Sequence, residues 1–92
     1  MNVIIDETMT LKEVGRVTHY YPKIGVVVVE QTAPLRVGDR IRIMGYTTDF
    51  EQTVESMEIE HETIDEAKPG DSIGLKAKER AREKDVVYKI IE

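Results

Sequence analysis

Gly38-Asp39-Arg40-Ile41-Arg42-Ile43 and Gly70-Asp71-Ser72-Ile73-Gly74-Leu75 are two copies of one local plan. In each, a glycine–aspartate corner leads into a stretch with an apolar residue at every second position. Successive side chains of a strand point to opposite faces, so Ile41 and Ile43 point inward while Arg40 and Arg42 point outward. The second corner is preceded by Lys68-Pro69, which puts proline at the second and glycine at the third turn position. That is the chemistry of a type II turn, whose third residue needs a positive φ. Short alternating stretches between such corners read as antiparallel strands, and the fold class reads as all-β.

Working outward, residues 14–19, 24–30, 53–61 and 85–91 join 40–43 and 72–77 as six strand candidates. The run Val26-Val27-Val28-Val29 reads as a strand covered on both faces. Within 53–61, Met57 and Ile59 share one face and Glu58 and Glu60 the other, with Glu62 continuing the acidic side. Val54 is out of phase with Met57, and a bulge near Glu55 would restore the register. Six short strands with regular turns predict a small closed antiparallel barrel over about residues 12–91, which removes free strand edges. Its expected core is Val14, Val17, Ile24, Val26, Val28, Leu35, Val37, Ile41, Ile43, Val54, Met57, Ile59, Ile64, Ile73, Leu75, Val86 and Ile90. Residues 76–84 are rich in helix formers, yet only Ala77 and Ala81 are apolar there, so a strand end and a charged loop are expected. Thr10-x-x-Glu13 has the form of a capping box and predicts a single helical turn at most, because Val14-Gly15 follows.

The chain has 92 residues and a mass of 10.5 kDa, enough for one domain spanning 1–92. With 13 basic and 18 acidic residues the formal charge is −5. Seven of the acids, from Glu51 to Glu66, stand in a stretch without Lys or Arg. Cysteine is absent, so disulfides, thiolate metal sites and cysteine nucleophiles are excluded, as in a protein of a reducing cytosol. Residues 1–11 read as neither leader nor anchor, and no apolar run approaches the ~20 residues of a membrane helix. A cytoplasmic protein is expected. Glu occurs 12 times and Lys 7 times against three Asn and Gln, a heat-adapted composition.

No catalytic or cofactor motif withstands its context. Gly70-Asp71-Ser72-Ile73-Gly74 matches the G-x-S-x-G nucleophile elbow in letters, but that elbow joins a strand to a helix, and here a turn precedes a strand. His19 and His61 lack metal-ligand spacing, and Glu58, Glu60 and Glu62 lack the loop that would close a cation cage. No phosphate-cradling G-x-x-x-x-G-K-[ST] loop occurs, so GTP binding by this chain is not expected. Neither an enzyme nor a cofactor-binding protein is therefore expected. Arg16, His19, Tyr20, Tyr21 and Lys23 interleave bases with aromatics. Two readings stand for them: a platform on which single-stranded RNA stacks, or tyrosines capping the barrel with wet hydroxyls.

The block from Thr53 to Glu62, the segment Ile64-Asp65-Glu66-Ala67-Lys68-Pro69-Gly70-Asp71-Ser72-Ile73-Gly74-Leu75 and the upstream corner at Gly38-Asp39 resemble the second domain of translational GTPases of the elongation factor Tu and elongation factor 1-alpha type. The likeness runs over about residues 14–90. It implies a closed six-stranded antiparallel barrel that helps hold the acceptor end of aminoacyl-tRNA, with Glu66 near the terminal ribose. The GTPase domain, the third domain, the family's glycine-rich first hairpin and its Arg-Gly pair near the last strand have no counterpart in this sequence. The resemblance thus implies a stand-alone, non-catalytic binding module for tRNA, other RNA or the ribosome. The alternative is a protein-interaction or accessory module for a separately encoded enzyme such as a peptidase, which the acidic stretch favours.

Overall fold

The computed structural model describes residues 3–4 and 10–91. Seven of the eleven residues read for a leader or anchor lie outside them. The described chain is all-β and contains no helix. Its strands are β1 (Val3–Ile4), β2 (Thr10–Tyr21), β3 (Val26–Gln31), β4 (Leu35–Arg36), β5 (Arg40–Met44), β6 (Asp49–Thr53), β7 (Met57–Ile59), β8 (Glu62–Ile64), β9 (Glu66–Ala67), β10 (Ser72–Lys76) and β11 (Val86–Ile91). One antiparallel sheet runs in the order β6-β5-β11-β2-β3-β10-β7-β8, with β1 added to β2, and β4 and β9 form a ladder of their own. Among the described residues no ladder joins β6 to β8, the two ends of that path.

The hub is β2, which pairs with β11, β3 and β1. Its 12 residues would span ~40 Å if straight, more than the 38 Å of the molecule's longest axis. The strand bends instead at two bulges. Val14 is the extra residue facing β11, between the pairs Tyr88↔Glu13 and Val87↔Gly15. Thr18 is the extra residue facing β3, between Val17↔Val29 and His19↔Val28. Bulges sharpen local twist and roll the sheet around its core. Gly15 sits where β2 presses on β3: a β-carbon there would lie 2.6 Å from Val29 Cγ1. The capping box at Thr10 therefore yields no helical turn, because pairing with β11, joined by β1 at Thr10 and Leu11, recruits residues 10–13 into the strand.

Three turns share one design. Asp39, Asp71 and Asp85 donate their N–H to the carbonyls of Arg36, Lys68 and Arg82, three residues earlier, at 3.0, 3.0 and 3.1 Å. Each aspartate carboxylate accepts the N–H of that same residue, at 2.8, 2.8 and 2.7 Å. The third position takes positive φ: 98° at Gly38, 93° at Gly70 and 77° at Lys84. The turns launch β5, β10 and β11. Residues 77–85 are thus an irregular loop ending in a turn, and the buried Ala81 ties it to the core. Gly45, in the β5–β6 connection, packs on the third turn so closely that a β-carbon would overlap the Asp85 carboxylate.

The core holds Val14, Val17, Leu35, Ile41, Ile43, Val54, Met57, Ile73 and Leu75 as expected, Ile90 is buried as well, and Ile59 and Ile64 pack at the margin. Elsewhere the expected parity is reversed. In β3 the inward residues are Val27 and Val29, whereas Val26 and Val28 are half-buried on the outer face. Ile24, which set the expected phase, lies in the turn before the strand and is 57% exposed. Val37 occupies the exposed second position of its turn, and in β11 Val87 replaces Val86 inside. The expected single strand over 53–61 is two strands. Val54 ends the excursion of β6, its N–H bonded to the Asp39 carbonyl at 2.9 Å, before β7 begins. Glu60 and His61 form the β7–β8 turn with φ of 50° and 67°. Glu58, Glu60 and Glu62 consequently do not line one strand face.

Candidate interaction surface

The β2 bulge at Thr18 decides how the aromatic cluster is presented. Beyond it, Tyr20 pairs with Val27 and packs against the core, while His19 and Tyr21 pair with Val28 and Val26. Neighbouring tyrosines thus point to opposite faces. The Arg80 guanidinium lies 5.9 Å from the centroid of the Tyr20 ring, a cation–π contact that occupies this ring from within the fold. His19 and Tyr21 meet edge to face with centroids 4.3 Å apart. Arg16 stands further along the strand opposite Glu30, exposed, and Lys23 is exposed in the turn between β2 and β3. The outer face of β2, β3 and β10 therefore carries His19, Tyr21, Ile24, Val26 and Val28. Gly74, paired with Val28, adds no side chain to cover them. The outward valines were not legible as members of this surface, because strand parity alone assigns them.

Glu66 lies elsewhere. Its strand β9 pairs with β4, and the loop that follows bonds to the far end of β3, Gly70 N to Gln31 O at 2.8 Å. The five steps along β3 from Val26 to Gln31 put that end ~16 Å from Val26 and Tyr21. The structure thus groups His19, Tyr21 and Lys23, packs the half-buried Tyr20 against the core, and separates Glu66 from them all. Ser72 opens β10 opposite Glu30, and no helix follows it. Among the described residues no three His, Asp or Glu side chains are placed to hold a metal ion. No described helix is long and apolar enough to cross a membrane.

A second feature lies where β6 faces the end of β10. There a groove of about 440 Å3 is lined by Arg40, Glu51, Gln52, Thr53, Glu55, Lys76, Ala77 and Lys78. Gln52 is buried and its side chain crosses the gap. Its Nε2 donates to the Lys76 carbonyl at 2.7 Å, and its Oε1 accepts the Lys78 N–H at 2.6 Å. A side-chain amide here does what a strand backbone does elsewhere in the sheet. Arg40 donates to Thr53 Oγ1 at 3.2 Å across the neighbouring ladder. Further along β5, Arg42 forks onto the Asp49 carboxylate at 2.7 and 2.8 Å. That hydrogen-bonded pairing holds the Asp49 carboxyl below its usual range and raises the Arg42 guanidinium. The hairpin tip beyond them leaves Tyr46 wholly exposed.

Comparisons with known proteins bear on this geometry. The chain is 42% identical over 77 residues to an uncharacterized protease of Methanocaldococcus jannaschii, covering 83% of this chain and 19% of that protein. It is 35% identical over 78 residues to a collagenase of Porphyromonas gingivalis, covering 22% of it. The chain thus spans about a fifth of the length of the curated relatives it matches. Its fold matches the solved C-terminal domain of a U32-type peptidase of Geobacillus thermoleovorans with a TM-score of 0.80 at 26% identity, covering 85% of this chain and 91% of that domain. The selenomethionine form of the same domain gives 0.79 at 25% identity over 83% and 96%. No family model matches the chain. These relatives overturn the resemblance to elongation factor Tu and the RNA-binding, translational reading built on it. Paired Gly-Asp corners are turn chemistry that any small antiparallel sheet can use, so they specify turns and not a lineage. In sequence over four-fifths of its length this chain is similar to a protease and a collagenase, and in fold to the C-terminal domain of a U32-type peptidase.

Proposed function

We propose that this chain is a non-catalytic accessory module that works beside the catalytic part of a U32-type peptidase. One observation carries the reading: the stretch that matches is a separately folding C-terminal domain in one relative and about a fifth of a protease in another. The scaffold is a rolled, barrel-like sheet whose seam is held by the Gln52 side chain. The surface for the peptidase is the outer face of β2 and β3, where Tyr21 and Ile24 are 48% and 57% exposed. Such apolar and aromatic residues dominate binding when a partner desolvates them. The test is capture from native extract with the tagged full chain. A U32-type peptidase is expected to be retained, and the Tyr21→Ser, Ile24→Ser double variant is expected to lose it while melting at an unchanged temperature. Retention of no peptidase by the wild-type chain overturns the proposal.

A further inference from the structure

We infer that the loop over residues 77–85, with the exposed side chains at its two ends, docks an acidic polypeptide segment flanked by apolar residues and carried by the catalytic part of the peptidase. In Lys76-Ala77-Lys78-Glu79-Arg80-Ala81-Arg82-Glu83-Lys84 every second residue is a base. Ala81 is part of the core and Ala77 packs against it, so the loop is fixed while its charged residues stay in water. Backbone bonds lay it along the last part of β2 and the turn that follows. Ala77 donates its N–H to the Gly25 carbonyl and Lys84 donates to the Val17 carbonyl, both at 2.8 Å. Between these bonds Arg80 stands over the Tyr20 ring. Lys76 spends its ammonium on the Ile24 carbonyl at 3.0 Å, which fixes the same turn. Lys23, Lys78, Arg80, Arg82 and Lys84 thus stand exposed along one strip, against Glu79 and Glu83 as its exposed acids. Among the described residues none of these five cations makes an ion pair, whereas Arg40, Arg42 and Lys89 do. A local excess of unpaired cations on a chain of net charge −5 attracts a negative partner to this strip.

An exposed apolar or aromatic side chain stands at each end. Ile24 precedes Gly25 and is largely exposed, and Tyr46 follows Gly45, which packs on the Asp85 carboxylate, and is wholly exposed. A partner that covers Ile24 and Tyr46 gains apolar contact at both ends. Its carboxylates between them meet the cations, which steer the encounter and disfavour a basic segment of the same shape. The loop is held at both ends and in its middle, so docking costs little conformational freedom. A nucleic acid supplies the charge but not the apolar ends, and two copies of this chain, each at −5, repel each other. The inference rests on the accessory-module reading only for the source of the segment.

The test adds a blocked octapeptide, six glutamates between two phenylalanines, to the isotope-labelled full chain at low salt. The backbone signals of residues 23–25, 46 and 78–84 are expected to shift together, while those around Val37, which is also exposed, stay in place. The Lys23→Gln, Lys78→Gln, Arg82→Gln variant is expected to bind at least about tenfold more weakly, and Tyr46→Ser at least about threefold, both with an unchanged melting temperature. The same peptide with lysines for glutamates is expected not to bind. Absence of the shifts at millimolar peptide, equal shifts around Val37, or equal binding of the lysine peptide overturns the inference. Octauridylate that binds as tightly as the glutamate peptide overturns the polypeptide assignment, and the same shifts on concentrating the protein alone overturn it in favour of a second copy. Peptide binding without retention of a peptidase in the capture experiment leaves the strip intact and sinks the accessory reading. Retention without peptide binding does the reverse.

Discussion

Lys84 holds a backbone conformation that the two equivalent turns assign to glycine. Its φ of 77° matches the 98° and 93° of Gly38 and Gly70, a region that costs a residue with a β-carbon about 1–2 kcal/mol. Replacing it by glycine removes that strain but returns about 0.4–1 kcal/mol of freedom to the unfolded chain. The Lys84→Gly variant is expected to gain about 0.5 kcal/mol net, a rise of ~2–4 °C in melting temperature for a domain of this size. A calorimetric scan that shows no rise would mean that the Lys84 side chain supplies a compensating contact. Lys84 also shows what single residues let a reader see. The corners at Gly38 and Gly70 were legible because glycine marks a positive φ. The third has the same basic-x-x-Asp spacing, and lysine hides it. Parity in β3 was hidden for a related reason: four identical valines carry no phase, and the phase is set by Tyr20 and Val17 across the ladder.

The β5–β6 hairpin is the element that sequence reading missed. Its inward residues are Phe50, Gln52 and then Val54, and an amide in the middle of an apolar alternation does not read as a core-facing strand. With β6 unseen, 53–61 reads as one strand needing a bulge, whereas it is the end of β6, a crossing, the whole of β7 and the turn into β8. The hairpin ties its two strands on the outside through the Arg42–Asp49 fork, with the Asp49 side chain 55% exposed. Screening by water limits such a pair to below about 1 kcal/mol. Because the folded carboxyl ionises more easily than an unfolded one, the contribution is fully present above the unfolded value near 3.9 and is lost as pH falls through the lower folded value. The Asp49→Asn variant is expected to be less stable than wild type by under about 1 kcal/mol at neutral pH, with the gap closing in acid. Urea titrations at pH 7 and across the acid limb check this, and a gap that widens in acid would contradict the assigned sign.

At the scale of the molecule, closure is the question that local patterning leaves open. Alternation and turn chemistry specify the strands and which neighbours are antiparallel, but whether the last strand meets the first depends on contacts between distant residues. Here the seam joins Gln52 to Lys76 and Lys78, separated by 24 and 26 positions, and no local signal in Phe50-Glu51-Gln52-Thr53 announces it. For the same reason His19, Tyr21 and Lys23 were legible as members of one cluster, while the groove was not legible at all. The seam has an energetic consequence. In the Gln52→Leu variant the volume is nearly kept, but the Lys76 carbonyl and the Lys78 N–H lose their partner. A buried group left unsatisfied costs about 1–3 kcal/mol, although water entering an open groove recovers part of it. The variant is expected to lose about 2 kcal/mol in total, read as a lower urea midpoint with an unchanged slope, since the surface exposed on unfolding stays the same. Hydrogen exchange distinguishes seam opening from general weakening: protection is expected to fall at Lys78 and in β6 well before it falls in β2. Loss of protection spread evenly over the sheet would mean that the fold is held by its core alone, with Gln52 a passenger at its edge.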